Sequence, residues 1–484
     1  MKANTAAPQT VSLERDLTST GGFFSSFATA VVKGDAFVKL SLLWWGAGYA
    51  RRKQFFKAAV MTLLEAAVIW FTVAFAFQYV PKFGTLGTVQ AEQVFNMQTM
   101  KTEWNDYDDS FQILLFSVLS FVVWFTAIVV LMKNMTNVYQ LQRRAELGLH
   151  INTFKEDVNT YLNEKFQVTL LSLPVLGVVM FNVIPLLILI LVAFTNYDQQ
   201  HMPPTALFTW TGLTNFISLF GGGGLTVTFG YSFARVLAWT LVWAVFATFT
   251  TYFGGILLSL FLNNKRTKFA KLWRALFIVT IAVPQFVSLL LVRNFFADNG
   301  IFNGMLTSAA QFLGLIAEGT TLNFPWLTSP GWAHVMIIII NIWIGVPYQM
   351  LIATGVLTNL PVDQIESSRI DGASTSQTFR YITMPYVLFV TGPALVTDFV
   401  KNINNFNVIY LLTQDVYTTT NQALANSQAT EVDLLVTWLF RLTQEYYNYK
   451  MASVIGIAVF VICAVFTLVA FNFMLSGDKE GVYN

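Results

Sequence analysis

Charged residues are scarce in this chain of 484 residues: they make up 11% of the sequence, whereas hydrophobic residues make up 55%. A soluble protein of this size has about 25% charged residues. The scarcity excludes an ordinary soluble globular domain. It is typical of a protein that crosses a membrane several times.

Cysteine and histidine are nearly absent as well. The single cysteine, Cys463, lies inside an apolar run, and the three histidines are His150, His201 and His334. One cysteine excludes an intramolecular disulfide and a cysteine-based metal site. The scattered histidines have no ligand spacing, so we expect no metal site in this chain.

Motifs that bind nucleotides or carry out hydrolysis are also missing. The sequence contains no G-x-x-x-x-G-K-[ST] phosphate-binding loop, no H-E-x-x-H and no G-x-S-x-G. It has no basic patch of the kind that binds nucleic acid. We therefore expect a protein that is not an enzyme, binds no nucleic acid and holds no cofactor of its own.

Long apolar runs account for most of the chain. A membrane-spanning helix needs about 20 mostly apolar residues, and in lipid the backbone must satisfy its own hydrogen bonds. The sequence therefore predicts an all-α transmembrane protein with about eight spans. Their predicted bounds are 58–80, 111–132, 168–194, 235–262, 272–296, 332–357, 384–410 and 451–475.

The distribution of basic residues predicts the orientation. Eight spans place both termini on one side, and the segments on that side hold 20 Lys and Arg, against four in the opposite loops. Cytoplasmic loops carry the excess of Lys and Arg in membrane proteins. We therefore expect both termini in the cytoplasm and a multi-pass location in the cell membrane.

Two segments outside the spans are candidates for interfacial or peripheral helices. The stretch "KLSLLWWGAGYARRKQFFK" (39–57) mixes aromatic and basic residues, which suits an interfacial segment that leads into the first span. The stretch "EVDLLVTWLFRLTQEYY" (431–447) predicts a helix lying at the outer interface. The predicted divisions are an N-terminal segment (1–57), two spans with a cytoplasmic connector (58–167), a six-span core (168–475) and a tail (476–484).

A polar loop, "LPVDQIESSRIDGASTSQTFRYITMP" (360–385), separates the sixth and seventh spans. Pro361 suits a first helical turn, and Asp363 and Glu366 place negative charge near that helix start. Gly372 is a natural stop, and a second short helix can run from Ser374 toward Tyr381. The local chemistry predicts a helix–turn–helix on the cytoplasmic face, either an ordinary connection or a docking element.

Polar residues in the sixth and seventh spans each fall on one helix face. The spacing i, i+3, i+4, i+7 is shared by Asn341, Ile344, Gly345 and Tyr348, and again by Asp398, Lys401, Asn402 and Asn405. Ionisable residues inside a span usually face a bundle interior or water. Amide, carboxylate and phenol groups on adjacent faces can bind the hydroxyls and apolar faces of a sugar.

Structural roles are the alternatives for the same residues. Asn341 can join helices by a hydrogen bond, Gly345 can be a packing contact, and Tyr348 can be a core aromatic. Asp398 and Lys401 can form an ion pair at i, i+3. The sequence alone leaves these alternatives open.

The loop between spans six and seven resembles the coupling loop of bacterial ABC importer permeases. The family pattern is E-A-A, three residues, G, nine residues, I, one residue, L-P. Here Glu366, Gly372, Ile382 and Pro385 match, while the two alanines are Ser367 and Ser368 and the leucine is Met384. The resemblance implies that this loop, including Asp371, docks into a separate ATPase subunit.

Further stretches resemble the larger permease subunit of maltose/maltodextrin importers, above all "NIWIGVPYQM" (341–350), "NINNFNVIYLLT" (402–413) and "DLLVTWLFRLT" (433–443). Only about 40 residues separate spans three and four, so the large external domain of some such subunits is missing. This short form looks like those of Gram-positive bacteria. The resemblance implies the fold of type I ABC importer permeases.

The resemblance also implies partners and a substrate site. The partners are a second homologous permease, a dimer of ATPase subunits that holds ATP and Mg²⁺, and an extracellular sugar-binding protein or lipoprotein. The substrate is a malto-oligosaccharide, bound by the two polar faces named above. The match is only positional at Asp398 and Lys401, where the family pattern has a small hydroxyl and an aromatic residue.

Other functions remain open from the sequence. A different glycan, such as a galacto-oligosaccharide, fits the same class. An ion-coupled secondary transporter can use Asp398 and Glu65 as coupling acids, although such carriers are often built from inverted repeats and the sequence shows none.

Overall fold

The computed structural model describes residues 22–97, 100–221, 227–264, 266–414 and 421–477. The chain divides into two compact units, one made of residues 1–192 and 200–210 and the other of residues 193–199 and 211–484. The predicted six-span domain (168–475) begins before this boundary, and the assignment of functional domains stays a prediction.

The first unit contains the first three spans. Its α-helices are α1 (Phe23–Lys33), α2 (Ala36–Leu40), α3 (Ala47–Arg51), α4 (Phe55–Phe71), α5 (Phe77–Tyr79), α6 (Ser110–Glu146), α7 (Phe154–Leu162), α8 (Phe166–Val178) and α9 (Ile184–Val192). A π-helical turn, Thr72–Ala76, joins α4 to α5, and another, Val179–Val183, joins α8 to α9. Each of these pairs thus forms one continuous apolar span.

A small β-hairpin was not expected from the apolar runs. Strands β1 (Gln93–Asn96) and β2 (Lys101–Trp104) pair in antiparallel register, with Gln93 opposite Trp104 and Asn96 opposite Lys101. The hairpin lies between the first and second spans. Strands of four residues give only a weak alternation in the sequence, which explains why the pattern was missed.

The second unit contains the remaining spans. Its α-helices are α10 (Thr214–Phe220), α11 (Val227–Asn263), α12 (Ala270–Ala282), α13 (Gln285–Phe295), α14 (Ile301–Phe312), α15 (Pro330–Thr358), α16 (Val362–Ile370), α17 (Thr375–Thr378), α18 (Met384–Ile403), α19 (Phe406–Leu412), α20 (Gln422–Asn426), α21 (Leu435–Gln444) and α22 (Tyr449–Gly477).

Within the described residues, seven helical segments are long and apolar enough to cross a membrane, and an eighth is bent. The seven are Phe55–Lys82, Ser110–Glu146, Phe166–Val192, Phe229–Asn263, Pro330–Thr358, Thr375–Leu412 and Tyr449–Phe473. This count agrees with the predicted all-α transmembrane fold. Helix α22 reaches the predicted tail, of which residues 478–484 lie outside the described part, as do residues 1–21 of the predicted N-terminal segment.

The predicted fifth span, 272–296, is wrong as a continuous helix. Helices α12 and α13 meet at an angle of 96°. Val283 adopts an extended backbone (φ −80°, ψ 126°) directly before Pro284. Proline disfavours the helical conformation of the residue that precedes it, so the helix breaks at this point.

The contact between α11 and α15 depends on glycine. A Cβ at Gly345 would lie 2.7 Å from Cγ2 of Thr251, and a Cβ at Gly254 would lie 2.8 Å from Cγ2 of Val346. A Cβ at Gly255 would overlap the side chain of Gln349. Small residues let backbones approach closely in membrane helix pairs, and here they draw the fourth and sixth spans together.

The predicted outer helix forms, but it is not a surface helix. Helix α21 buries Trp438 and Leu442 in a core cluster with Val454 and Ile455 of α22. The prediction of a helix in this stretch is confirmed, whereas its apolar face packs against protein. Sequence periodicity reports an apolar face but not what covers it.

The loop between spans six and seven forms the predicted helix–turn–helix. Pro361 precedes α16, and Gly372 turns the chain with a φ of +77°. Ser374 caps α17 by accepting from the backbone N–H of Gln377, whose side chain accepts in return from Ser374 N–H. The second helix is not separate, because the π-helical turn Phe379–Thr383 continues it into α18.

Candidate functional site

A cavity of about 770 Å³ lies among the helices of the second unit. All eight residues of the two predicted polar faces line it: Asn341, Ile344, Gly345, Tyr348, Asp398, Lys401, Asn402 and Asn405. The structure therefore brings together two faces that are about 50 residues apart in sequence. Their role as substrate contacts stays a prediction.

On the cavity-lining face of the sixth span, Gly345, which has no side chain, lies between the polar side chains of Asn341 and Tyr348. Asn341 is buried and its Nδ2 donates a long bond of 3.5 Å to the carbonyl of Ala247 in α11. Tyr348 is 50% exposed and has its ring in the cavity wall. Gly345 both packs against Thr251 and lines the cavity, so its packing role and a contact role are compatible.

Asp398 does not pair with Lys401, contrary to the ion pair considered from the sequence. Its Oδ2 accepts a hydrogen bond of 2.6 Å from Nε2 of Gln349 in α15. Lys401 is exposed on the cavity wall, and within the described residues it has no ion pair. The i, i+3 spacing permits a pair, but an amide on the neighbouring helix reaches the carboxylate instead.

Asn402 and Asn405 make hydrogen bonds at the junction where α18 ends and α19 begins. Nδ2 of Asn402 donates to Oγ1 of Thr248 at 2.9 Å, and the backbone carbonyl of Asn402 accepts from Nε1 of Trp243 at 3.0 Å. Oδ1 of Asn405 accepts from the backbone N–H of Val408 at the start of α19. Nδ2 of Asn405 donates to Oδ1 of Asn402 at 3.3 Å. Both amides thus shape the wall that they line.

The broken fifth span supplies a wall that the sequence reading missed. Residues 279–285, Ser288, Leu291 and Val292 line the cavity. A helix break leaves backbone carbonyls without intrahelical partners, and at membrane depth such groups are tolerated where they line a cavity. Pro284 within an apolar run was the available signal.

Gln349 was also missed, although it lies next to Tyr348. Its side chain lines the cavity and connects α15 to α18 through Asp398. A glutamine inside a span is a recognised signal of interhelical hydrogen bonding. Its partner could not be known before the helices were placed.

The wall combines hydroxyl-binding groups with apolar surface. Amides, one carboxylate, one ammonium and a phenol lie beside Trp343, Ile344 and Phe406. Such a mixture suits a ligand with many hydroxyls and apolar ring faces. No group of three or more His, Cys, Asp or Glu that could hold a metal ion was found among the described residues.

The predicted coupling residues form a separate surface that does not line the cavity. Glu366, Ser367, Asp371, Gly372 and Pro385 are exposed, and Ile382 is partly buried. Ser368 is buried, and its hydroxyl lies 3.1 Å from Oγ1 of Thr378. This bond fixes α16 against α17, so the exposed residues are presented on a stable element.

Comparison with known proteins decides the family. Residues 252–476 match the family "Binding-protein-dependent transport system inner membrane component". The galactooligosaccharides transport system permease protein GanP of Bacillus subtilis is 32% identical over 421 residues, which cover 86% of this chain and 93% of the relative. The chain belongs to this permease family.

The permease has other similar relatives. The maltodextrin transport system permease protein MdxF of Bacillus subtilis is 30% identical over 436 residues, covering 88% of this chain and 93% of that protein. A crystal structure of a bacterial ABC transporter involved in the import of the acidic polysaccharide alginate has 20% identity and a TM-score of 0.49. It covers 66% of this chain and 98% of that chain. With its membrane-spanning helices and these two Bacillus relatives, the chain is a multi-pass membrane protein of the family of sugar-transport permeases.

Proposed function

We propose that this permease translocates an oligosaccharide through the cavity of its second unit. The observation that carries the proposal is that all eight residues of the two polar faces line that one cavity. Its volume, about 770 Å³, is in the range of small-molecule sites. The cavity can hold a few sugar rings, with Tyr348 and Phe406 beside their apolar faces.

The relatives narrow the substrate class. GanP is a permease for galactooligosaccharides and MdxF a permease for maltodextrin, and their identities to this chain are 32% and 30%. A neutral oligosaccharide agrees with a wall that carries one carboxylate and one ammonium. Malto-oligosaccharides and galacto-oligosaccharides are therefore the two substrates to test.

The driving force comes, in this proposal, from ATPase subunits that bind ATP and Mg²⁺. The exposed element formed by α16 and α17 docks on one of them and moves with it. The resulting motion changes the side of the membrane to which the cavity opens. The further partners are a second homologous permease and an extracellular sugar-binding protein or lipoprotein, and both termini lie in the cytoplasm of a Gram-positive cell.

The test uses the assembled complex in proteoliposomes, with uptake of labelled malto- and galacto-oligosaccharides measured against ATP hydrolysis. Tyr348→Ala and Asn402→Ala should lower uptake at least tenfold and leave basal ATP hydrolysis unchanged. Tyr348→Phe keeps the ring and is the matched control for Tyr348→Ala. Normal uptake in both alanine variants would remove the proposed site.

An ion-coupled carrier is tested in the same preparation. Uptake driven by a proton or sodium gradient in liposomes that hold this chain alone, without ATP, would contradict the proposal. Glu65, one of the acids considered for such coupling, accepts a hydrogen bond of 2.9 Å from the backbone N–H of Trp45. This contact gives Glu65 a structural role in the first unit.

A further inference from the structure

Residues 22–57 form a cap that is fixed to the first two spans within the first unit. Nδ2 of Asn134 in α6 donates to the carbonyl of Trp45 at 2.9 Å, and the N–H of Trp45 donates to Glu65 of α4. Gly48 lies so close to Val138 of α6 that no Cβ fits there. The inner face of the cap is thus occupied by protein.

Part of the exposed surface of the cap is apolar. Five large side chains within eight residues are exposed, from 38% for Leu42 to 81% for Leu43: Phe37, Leu40, Leu42, Leu43 and Trp44. Trp44 is held in place because its Nε1 donates to Oγ1 of Thr62 at 2.7 Å. Phe55 and Phe56, at the start of α4, are exposed as well, although the intervening residues 45–49 are buried.

The same cap carries an excess of exposed positive charge. Lys33, Lys39, Arg51 and Lys53 are exposed, and none has an ion pair within the described residues. Asp35 is the cap's single acidic residue, and its carboxylate is bound by Arg52 at 2.8 Å. The guanidinium of Arg51 lies 5.4 Å from the ring centroid of Phe37, so charge and apolar surface adjoin.

We propose that this cap binds anionic phospholipid of the leaflet that it faces. Aromatic and aliphatic side chains beside Lys and Arg are the features of helices that lie in the plane of a membrane interface. Basic residues next to a span attract anionic headgroups. The occupant is lipid because the exposed cations of the cap complement anionic headgroups, and because the cap leads directly into an apolar span of which only 6% of the most apolar window is buried in protein.

The cap therefore recruits phosphatidylglycerol or a similar lipid around the first span. This role is independent of the sugar site, which lies in the other unit. It makes the anionic lipid content of the membrane a determinant of how firmly the N-terminal segment is held.

The experiment uses the full chain in nanodiscs. In a Cys463→Ser background, Leu43→Cys is labelled with a small fluorophore, and its quenching by brominated phosphatidylglycerol is compared with that by brominated phosphatidylcholine. We expect both lipids to quench and phosphatidylglycerol to be preferred. Lys39→Gln/Lys53→Gln should lower that preference by roughly fivefold for each cation removed, and high salt should do the same.

The matched control is Lys101→Gln/Lys155→Gln, which removes two exposed lysines outside the cap and should keep the preference. No quenching by either lipid would show that water or another protein covers position 43 and would overturn the proposal. Equal quenching by both lipids, or equal losses in the two double variants, would overturn the specific claim for anionic lipid. Thermal unfolding of each variant checks that the fold is intact.

Discussion

Gln349 and Asp398 join the sixth and seventh spans at the cavity wall, through a hydrogen bond of 2.6 Å from Nε2 to Oδ2. The bond satisfies one carboxylate oxygen, and the other, Oδ1, accepts no hydrogen bond from the residues that the structure describes. It also fixes the position of Tyr348, the residue next to Gln349, relative to the seventh span. The two predicted faces thus form one wall.

Gln349→Leu should weaken both stability and sugar uptake. The substitution leaves the Asp398 carboxylate without its donor, and because this carboxylate is only partly buried we expect a cost of about 1 kcal/mol, the lower end of the penalty for an unsatisfied buried group. We expect a lower midpoint of thermal unfolding in detergent and a higher KM for uptake by the assembled complex. Gln112→Leu, which alters an exposed amide of α6, is the control, and equal effects of the two substitutions would contradict this account.

Gly255→Ala should separate α11 from α15. The new Cβ would overlap the Gln349 side chain and lie 2.7 Å from the backbone carbonyl carbon of Gln349. Overpacking of this kind costs about 1–3 kcal/mol. Gly355→Ala on α15 is the control, because nothing lies within 4 Å of its Cβ. The thermal midpoint should fall for Gly255→Ala and stay level or rise for Gly355→Ala.

Gly372→Val should impair coupling more than Gly372→Asn. The glycine has a φ of +77°, a conformation that costs most residues about 1–2 kcal/mol and that asparagine adopts more easily. Under the proposed function, uptake per ATP hydrolysed should fall in the valine variant while membrane insertion stays normal. Equal coupling in both variants would mean that the turn at Gly372 does not matter.

Arg441→Met should destabilise the second unit. Asp433 is 2% exposed, and its Oδ1 lies 3.4 Å from Nε of Arg441 and accepts from Oγ1 of Thr437 at 2.9 Å. Removing one partner of a buried ion pair leaves an uncompensated charge and costs about 3–5 kcal/mol. The thermal midpoint near neutral pH measures this loss.

The pH dependence of that variant has a defined sign. Burial, the largest influence, raises the pKa of Asp433 above its ordinary value, although Arg441 and the hydrogen bonds from Thr430 and Thr437 act to lower it. A carboxyl whose folded-state pKa is raised contributes stability below its unfolded pKa and loses it as pH rises through the folded value. Acidification from neutral pH toward 4 should therefore reduce the loss of folding stability that Arg441→Met shows relative to the unsubstituted chain.

The control for this pH effect is Arg441→Met/Asp433→Asn, which has no carboxyl to protonate at this position. On acidification, the stability of Arg441→Met relative to the unsubstituted chain should rise, whereas that of the double variant should not. A similar gain in the double variant would assign the effect to another group.

Local chemistry was enough to predict the loop between the sixth and seventh spans. Pro361, Gly372 and Ser374 start, turn and cap helices through contacts within four residues, and the structure has them in these roles. Helical periodicity was equally sufficient for the face of the sixth span and for Asp398, Lys401 and Asn402, because residues at i, i+3 and i+4 share a face whatever surrounds the helix. The prediction that Asn405 shares that helix face is wrong, since α18 ends at Ile403 and Asn405 caps α19, although it lines the same cavity.

The sequence by itself thus determined the membrane class, the helices, and the side chains that share a face, since these follow from composition and short-range geometry. Only the tertiary structure decided that Asp398 bonds to Gln349 rather than Lys401, that the helix broken at Pro284 contributes a cavity wall, and that Trp438 is buried in protein. Each of these depends on which residue, distant in the chain, arrives within about 3–4 Å, and contact distances of this kind exist only after the helices have packed.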